Sequence, residues 1–248
     1  HKERLGTICE VQKNSYTIKY WEKELSAKLK GSFYRAGSEF AVGSEFPVVG
    51  DYVTFIYNPA GDSVITSVCE RRSVLKRPYP SDHVKAHGRN MDGQVMVANF
   101  DYVFIAASLN GSYNFNRIAR YVSIALQGNG IPVVILTKVD LCSNPGRYVR
   151  ELEGLSDKVR VHTISALYGI GLSELKEYLK PEKTIAILGS SGVGKSTLVN
   201  ALCGEEAMKT SEIRESDSKG RHTTTYRQMF ELQNGARIID TPGMRELG

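Results

Sequence analysis

Residues 189–196 read Gly-Ser-Ser-Gly-Val-Gly-Lys-Ser, which fits the pattern G-x-x-x-x-G-K-[S/T]. An apolar run at 184–188 precedes them and a helical pattern follows, so the pattern stands between a strand and a helix. In such a loop the glycines let consecutive backbone N–H groups point at phosphate oxygens, and the helix N-terminus adds positive potential. The sequence therefore predicts a phosphate-binding loop after a buried strand.

The polar side chains at the end of this loop are expected to contact the phosphates and a metal ion. We expect the Lys195 ammonium to neutralise the β- and γ-phosphate oxygens and the Ser196 hydroxyl to bind Mg²⁺. The alternative is a glycine-rich strand-to-helix turn that binds no ligand. The predicted nucleotide contacts are Gly189, Ser190, Ser191, Gly192, Val193, Gly194, Lys195, Ser196 and Thr197.

Two further motifs indicate which base is bound. Thr137-Lys138-Val-Asp140 follows the apolar run 132–136, and Ser165-Ala166 follows the run 159–164. The Asp140 carboxylate can accept hydrogen bonds from both N1–H and the 2-amino group of guanine, a donor pair that adenine lacks. The Lys138 stem would pack along the base, and a backbone N–H at Ser165-Ala166 would reach the guanine O6. The alternative is a strand end in which Asp140 caps a helix.

The last motifs surround the γ-phosphate. Asp240-Thr-Pro-Gly243 ends a strand, where the Asp240 carboxylate can hold Mg²⁺ through water and the Gly243 N–H can contact the γ-phosphate. Gly220-Arg-His-Thr-Thr-Thr225 ends a long charged segment, and Thr224 is expected to complete the Mg²⁺ shell. The alternatives are an ordinary Pro-Gly turn and a solvated loop.

The order and spacing of the predicted strands, helices and turns indicate two domains. Five short β-type runs with turn signals between them, within residues 1–70, favour a small OB-like barrel, although an SH3-like barrel fits the same spacing. The predicted strands cover 5–11, 16–21, 28–33, 51–57 and 63–69. A basic, proline-containing connector follows at 71–94. Residues 95–248 alternate strand and helix patterns, which predicts an α/β domain with a mostly parallel sheet.

Composition excludes several classes of protein. The 248 residues are 41% hydrophobic and 24% charged, as in globular proteins, and the formal net charge of +5 permits a polyanionic partner. No apolar run is long enough to span a membrane. The four cysteines form no C-x-x-C pair, so a reducing cytosol fits best and a cytoplasmic protein is expected. A monomer is expected as well.

The order of the motifs is unusual, since the base-reading motif precedes the phosphate loop. Together with Leu75-Lys-Arg-Pro78 and Val97-Ala-Asn99, this order resembles the circularly permuted GTPases of the RsgA/YjeQ family, which act in maturation of the small ribosomal subunit. The resemblance implies a P-loop GTPase domain behind an OB-fold domain that contacts ribosomal RNA. It also implies hydrolysis of GTP to GDP that the small subunit stimulates.

The chain departs from this family at two points. The family usually has Asn where Thr137 stands, so a contact to guanine N7 is weaker or is replaced by the hydroxyl, while Asp140 retains the discrimination. Family members continue into a zinc-binding domain that is not among these residues, so zinc is expected only there.

The water-positioning residue differs from that of many GTPases, which place Gln after the D-x-x-G glycine. That position here is Met244, which cannot orient water. His222 is the candidate catalytic residue, because its imidazole titrates near neutral pH and can accept a hydrogen bond from water. A solvent-exposed loop histidine is the alternative.

RNA contacts are expected in the basic connector, at Arg71, Arg72, Lys76 and Arg77. A solvated connector is the alternative, and most aromatic residues of the barrel are expected to be core rather than stacking surfaces. Two other functions use the same phosphate loop: a P-loop ATPase or small-molecule kinase, and a non-enzymatic RNA-binding module.

Overall fold

The computed structural model describes residues 2–13, 15–34, 46–77, 93–111, 113–190, 192–203 and 227–241. These residues form two compact units. The first holds the described residues up to Phe100 and residues 227–230, and the second holds those from Asp101 onward, apart from 227–230. The predicted ends of the barrel domain at residue 70 and of the connector at residue 94 stay a prediction.

Five strands of the first unit form a closed barrel. Strand β1 pairs with β2 and β4, β2 with β3, and β4 with β5, all antiparallel, and a parallel β3–β5 pair closes the ring. This arrangement is consistent with the predicted OB-like domain. The strands are β1 (Glu3–Val11), β2 (Tyr16–Tyr20), β3 (Lys23–Leu29), β4 (Tyr52–Ile56) and β5 (Ser63–Val68).

Alternating side chains fill the barrel. Every second residue of β4 is buried, with Val53 and Phe55 fully enclosed beside Ile8 and Ile18. The third strand differs from the predicted 28–33: it runs over Lys23–Leu29 and is followed by a 3₁₀ helix at Gly31–Tyr34. The strand begins earlier than predicted because a turn of only two residues separates it from β2.

A two-stranded antiparallel sheet completes the first unit, formed by β6 (Val74–Arg77) and β7 (Gln94–Ala98). The buried Asn99 side chain follows this sheet, accepting from the Arg72 N–H and donating to the Gly50 carbonyl. Strand β12 (Gln228–Glu231) lies antiparallel to β1 through Glu10 and Gln228.

The second unit contains a parallel sheet in the order β10-β9-β8-β11-β13. Apolar side chains bury both faces of its inner strands, as the continuous apolar runs predict. Its strands are β8 (Tyr102–Ser108), β9 (Ile131–Thr137), β10 (Arg160–Thr163), β11 (Thr184–Gly189) and β13 (Arg237–Asp240). Residues Leu232–Ala236 form the tight turn that Asn234-Gly235 predicts.

Helices connect these strands. Helix α1 (Phe115–Gln127) is capped by the Asn114 side chain, which accepts from the Arg117 N–H, and it buries Ile118, Tyr121, Val122 and Ala125 at helical spacing. The other elements are α2 (Pro145–Glu153), α3 (Lys195–Cys203) and 3₁₀ helices at Val139–Leu141 and Glu174–Glu177.

Two features are absent from the residues that the structure describes. None of their helices is both long and apolar enough to cross a membrane. Within the same residues, no three His, Cys, Asp or Glu side chains lie together as a metal-binding group.

Candidate nucleotide-binding site

Described residues of four predicted motifs lie at the carboxyl ends of the strands of the parallel sheet. Carboxyl ends of parallel strands lie on the same side, and ligands of open α/β sheets bind in the crevice there. Thr137 ends β9, Gly189 ends β11 and Asp240 ends β13, while Ser165 lies two residues beyond β10. The sheet therefore collects motifs that lie up to about a hundred residues apart in the chain.

The phosphate loop has a backbone that only glycine adopts readily. Gly192 and Gly194 have φ angles of 77° and 92°, in the left-handed region that L side chains rarely occupy. A Cβ on Gly189 would lie 2.7 Å from the backbone carbonyl oxygen of Ala106 on β8. Glycine at 189 therefore lets the loop pass close to β8, and glycine at 192 and 194 permits the left-handed turns of its backbone.

The base-reading motif contacts this loop directly. The buried Thr137 hydroxyl donates to the Val193 carbonyl oxygen at 2.5 Å and lies 3.4 Å from that of Ala107. The Lys138 ammonium lies 3.4 Å from the Gly192 carbonyl oxygen, and Lys138 has a left-handed φ of 58°. These contacts hold residues 137–138 against residues 192–193.

Asp140 lies exposed on the 3₁₀ helix Val139–Leu141, where the carboxylate can meet a ligand. The Val139 N–H donates to the Ile164 carbonyl at 3.1 Å, so this helix is held against the end of β10. The N-cap position of this helix is Lys138, so Asp140, which lies inside the helix, is not its cap.

The Ser165-Ala166 pair occupies a turn after β10. Ser165 is buried, and its N–H donates to the Ile170 carbonyl at 3.0 Å. Its hydroxyl oxygen is also enclosed and has no hydrogen-bond partner among the described residues. Of the two backbone N–H groups, that of Ala166 is therefore the candidate donor to a base.

Asp240 carries an unsatisfied carboxylate oxygen. The register pairs Asp240 with Ile187, two residues before the loop begins, and its Oδ1 atom is enclosed without a hydrogen-bond donor in the described part of the chain. Burial raises the pKa of this carboxyl, while the Lys195 charge and a backbone hydrogen bond from Thr241 lower it. A buried carboxylate oxygen without a donor fits an indirect Mg²⁺ ligand, because a water held by the cation would supply the missing hydrogen.

Sequence reasoning missed Arg117 on the first turn of α1. Its guanidinium donates to the Ser190 hydroxyl at 2.8 Å, which places a cation beside the phosphate loop. No motif marks this residue. The signal in the sequence was its place in the first turn of the helix after β8, the strand that neighbours the loop strand β11.

Several predicted site residues lie outside the described residues: Ser191 in the phosphate loop, His222, Thr224 and Gly243. Lys195, Ser196 and Thr197 open α3 as predicted, and Lys195 is half-buried.

The predicted RNA contacts differ in their surroundings. Arg71 donates through Nε and an NH₂ group to the two oxygens of the fully buried Asp51 carboxylate, each at 2.8 Å. Arg72 is exposed, and Lys76 and Arg77 are half-buried on β6. A guanidinium that neutralises a buried carboxylate is a structural group, so Arg71 is the least suited of the four to contact RNA.

Comparison with known proteins shows the family of this chain. The family model described as "RsgA GTPase" matches residues 68–248, and the chain belongs to this family. A "Small ribosomal subunit biogenesis GTPase RsgA 1" of Listeria monocytogenes is 41% identical over 244 residues, covering 98% of this chain and 65% of that protein. A "Small ribosomal subunit biogenesis GTPase RsgA" of Methanosarcina acetivorans is 40% identical over 98% of this chain and 61% of its own length. The chain thus spans less than two thirds of these two relatives.

Two solved structures are also similar to this chain. YjeQ from Thermotoga maritima is 28% identical with a TM-score of 0.70, covering all of this chain and 77% of that one. YloQ, described as a circularly permuted GTPase, has a TM-score of 0.64 at 20% identity and covers 74% of its own chain, which shows likeness of fold.

Proposed function

We propose that this chain binds GTP and hydrolyses it to GDP and phosphate, as a cytoplasmic factor in maturation of the small ribosomal subunit, which stimulates hydrolysis. Its second unit would be a circularly permuted P-loop GTPase domain. The observation that carries the proposal is the pair of contacts from Thr137 and Lys138 to residues 192–193. They unite a guanine-reading motif with the phosphate loop that follows it in the chain. The names of the relatives supply the ribosomal partner.

The nucleotide would lie along the carboxyl edge of the sheet. Asp140 would accept from guanine N1–H and the 2-amino group, and the Ala166 N–H would donate to O6. The backbone of residues 190–194 would wrap the phosphates, with Lys195 neutralising the β- and γ-oxygens. Because the Thr137 hydroxyl is directed at Val193, we infer that it positions the loop rather than the guanine N7.

Mg²⁺ would be held by the Ser196 and Thr224 hydroxyls and, through water, by Asp240; when bound, it offsets negative charge on the β- and γ-phosphates. Within the protein, Lys195 adds a second positive charge at this end of the pocket. His222 would accept a hydrogen bond from the attacking water, and the Gly243 N–H would contact the γ-phosphate.

Competition between nucleotides tests the base assignment. Labelled GTP should be displaced by GTP and GDP but not by ATP, whereas displacement by ATP would favour the ATPase or kinase alternative. Asp140→Asn should weaken GTP binding about tenfold or more, because a charged acceptor of two hydrogen bonds is lost. Glu153→Gln is the matched control: it removes the same charge at the end of α2, which leads to the opposite edge of the sheet. Equal affinities in both variants would contradict the role of Asp140.

Turnover with purified small ribosomal subunits tests the partner. Phosphate release should rise strongly when subunits are added, and His222→Ala should lower this rate while leaving GTP affinity nearly unchanged. An identical rate with and without subunits would reject the stimulation, and binding without any turnover would favour the non-enzymatic module.

The connector supplies a separate prediction about RNA. We propose that Arg72, Lys76 and Arg77 contact ribosomal RNA phosphates, supported by their positions on or beside one short strand. Neutralising the three together should weaken RNA association and reduce its salt dependence.

A further inference from the structure

The only tryptophan of the sequence lies at the tip of a barrel hairpin. Tyr20 of β2 pairs with Lys23 of β3, so Trp21 and Glu22 form a two-residue turn. The Trp21 side chain is 83% exposed. An indole so exposed leaves most of its apolar surface in water, which folding alone does not favour.

Its backbone adds a second unfavourable feature. Trp21 has a φ of 54°, in the left-handed region, at the first central position of a two-residue hairpin turn. Glycine is favoured at such a position and a bulky aromatic residue is an outlier there. Strained residues that persist are concentrated at functional sites, so the strain and the exposure point to one use.

A cleft of about 490 Å³ opens beside this turn. It is lined by Arg4, Tyr20, Trp21, Glu22, Lys23, Leu25 and Tyr57. Three of these residues are aromatic, and the ring centroids of Tyr20 and Trp21 lie 6.5 Å apart in an edge-to-face arrangement. The volume lies within the range of small-molecule pockets.

A cation lies within this aromatic group. The Arg4 guanidinium lies 4.5 Å from the Tyr57 ring centroid and 5.4 Å from that of Tyr20. Among the described residues it is held by these rings and not by a carboxylate. Arg4 and Lys23 outnumber Glu22, so the lining carries a net positive charge. The cleft therefore offers flat π surfaces beside cationic donors.

We propose that this cleft binds an unpaired base of single-stranded RNA, which stacks on Trp21 while Arg4 and Lys23 contact the adjoining phosphates. Every nucleobase has a π face and every linkage a negative charge, so both features of the lining are used. A purely apolar partner would leave the cations unpaired. The inference rests on the proposed function, because it names the chemistry by which the barrel would contact ribosomal RNA.

The single tryptophan makes the test direct. The intact chain is titrated with an eight-nucleotide adenine RNA while Trp21 emission is followed. Stacking should quench this emission, and a blunt RNA duplex of the same length should quench it far less. In anisotropy measurements with labelled RNA, Trp21→Gly and Tyr57→Ala should each raise the Kd about tenfold or more.

Two comparisons separate binding from folding. Trp21→Gly places glycine at a left-handed position, so its melting temperature should be unchanged or higher, and weaker binding cannot then be ascribed to unfolding. Tyr34→Ala is the matched control, because Tyr34 is 69% exposed on the same unit but does not line the cleft. It should bind RNA as the unchanged chain does.

Three outcomes would overturn the proposal: unchanged emission at saturating RNA, equal quenching by the duplex, or an emission change only with a proline-rich peptide. GTP affinity is measured on the same samples. Normal GTP binding without quenching rejects the RNA site alone, whereas quenching without GTP binding rejects the proposed GTPase and leaves the stacking site supported.

Discussion

The Thr137 hydroxyl oxygen lies 2.5 Å from the Val193 carbonyl oxygen, and both residues are buried. This hydrogen bond joins two segments that are far apart in the chain, the end of β9 and the middle of the phosphate loop. It holds the Val193 carbonyl against the end of β9, which under the proposed function would leave neighbouring N–H groups free to face the phosphates.

Removing this hydroxyl should loosen the loop. Thr137→Val preserves the side-chain shape but leaves the Val193 carbonyl without its donor, which should lower the free energy of unfolding by about 1–3 kcal/mol. GTP affinity should fall as well, because the loop must be ordered on binding. Thr137→Ser keeps the hydroxyl and serves as the control. Denaturant unfolding and nucleotide titration measure both effects, and a Val variant indistinguishable from the Ser variant would contradict the role.

Arg117 should contribute to recognition of the phosphate chain. Because its guanidinium already contacts Ser190, Arg117→Ala should weaken GTP binding about tenfold, as expected for loss of a charge-assisted contact, and change GMP binding little. Arg150→Ala is the charge-matched control, since Arg150 lies in the last turn of α2, toward the opposite edge of the sheet. Titrations with GTP, GDP and GMP measure the difference. Equal losses for GTP and GMP would argue against contact with the phosphates.

Asp240 should make stability depend on pH. Burial raises the pKa of its carboxyl in the folded protein, so the folded state holds this proton at pH values where the unfolded state has lost it. Stability therefore falls as pH rises from the unfolded pKa of Asp through the higher folded one. Without Mg²⁺ and nucleotide, Asp240→Asn should unfold at higher denaturant concentration than the unchanged chain at neutral pH, and this advantage should disappear in acid.

The same substitution should act in the opposite direction on ligand binding. Asp240→Asn should reduce the gain in GTP affinity that Mg²⁺ provides, because the charged oxygen is gone. Asp157→Asn is the control, as Asp157 is exposed in the turn before β10. An Asn variant with full Mg²⁺ dependence would remove Asp240 from the metal site.

We expect Arg71 to stabilise the fold rather than to contact RNA. Arg71→Met leaves the fully buried Asp51 carboxylate without its cation, and breaking a buried pair in this way costs about 3–5 kcal/mol. Lys76→Met, on the neighbouring strand, should cost much less because Lys76 is half-buried. Thermal unfolding of the two variants checks this. A stable Arg71→Met protein with weakened RNA association would restore Arg71 as an RNA contact.

Sequence patterns predicted the elements with local causes. The apolar spacing of residues 116–127 predicts the helix found as α1, while its Asn114 cap was recognised only in the structure. The phosphate loop follows from its glycines, since a left-handed φ is a property of single residues. The third barrel strand was predicted too late in the chain, because the Trp21-Glu22 turn contains no typical turn-forming residue and therefore gives no signal in the sequence.

The sequence by itself determined which chemical groups are present and in what order: the phosphate loop, the carboxylates of Asp140 and Asp240, and the buried strands that carry them. Only the tertiary structure decided which groups meet. The Thr137–Val193, Arg117–Ser190 and Arg71–Asp51 contacts join residues 56, 73 and 20 positions apart, and such contacts depend on strand order and register, which no local pattern encodes. The same holds for Trp21, whose exposure depends on where the barrel places its hairpin.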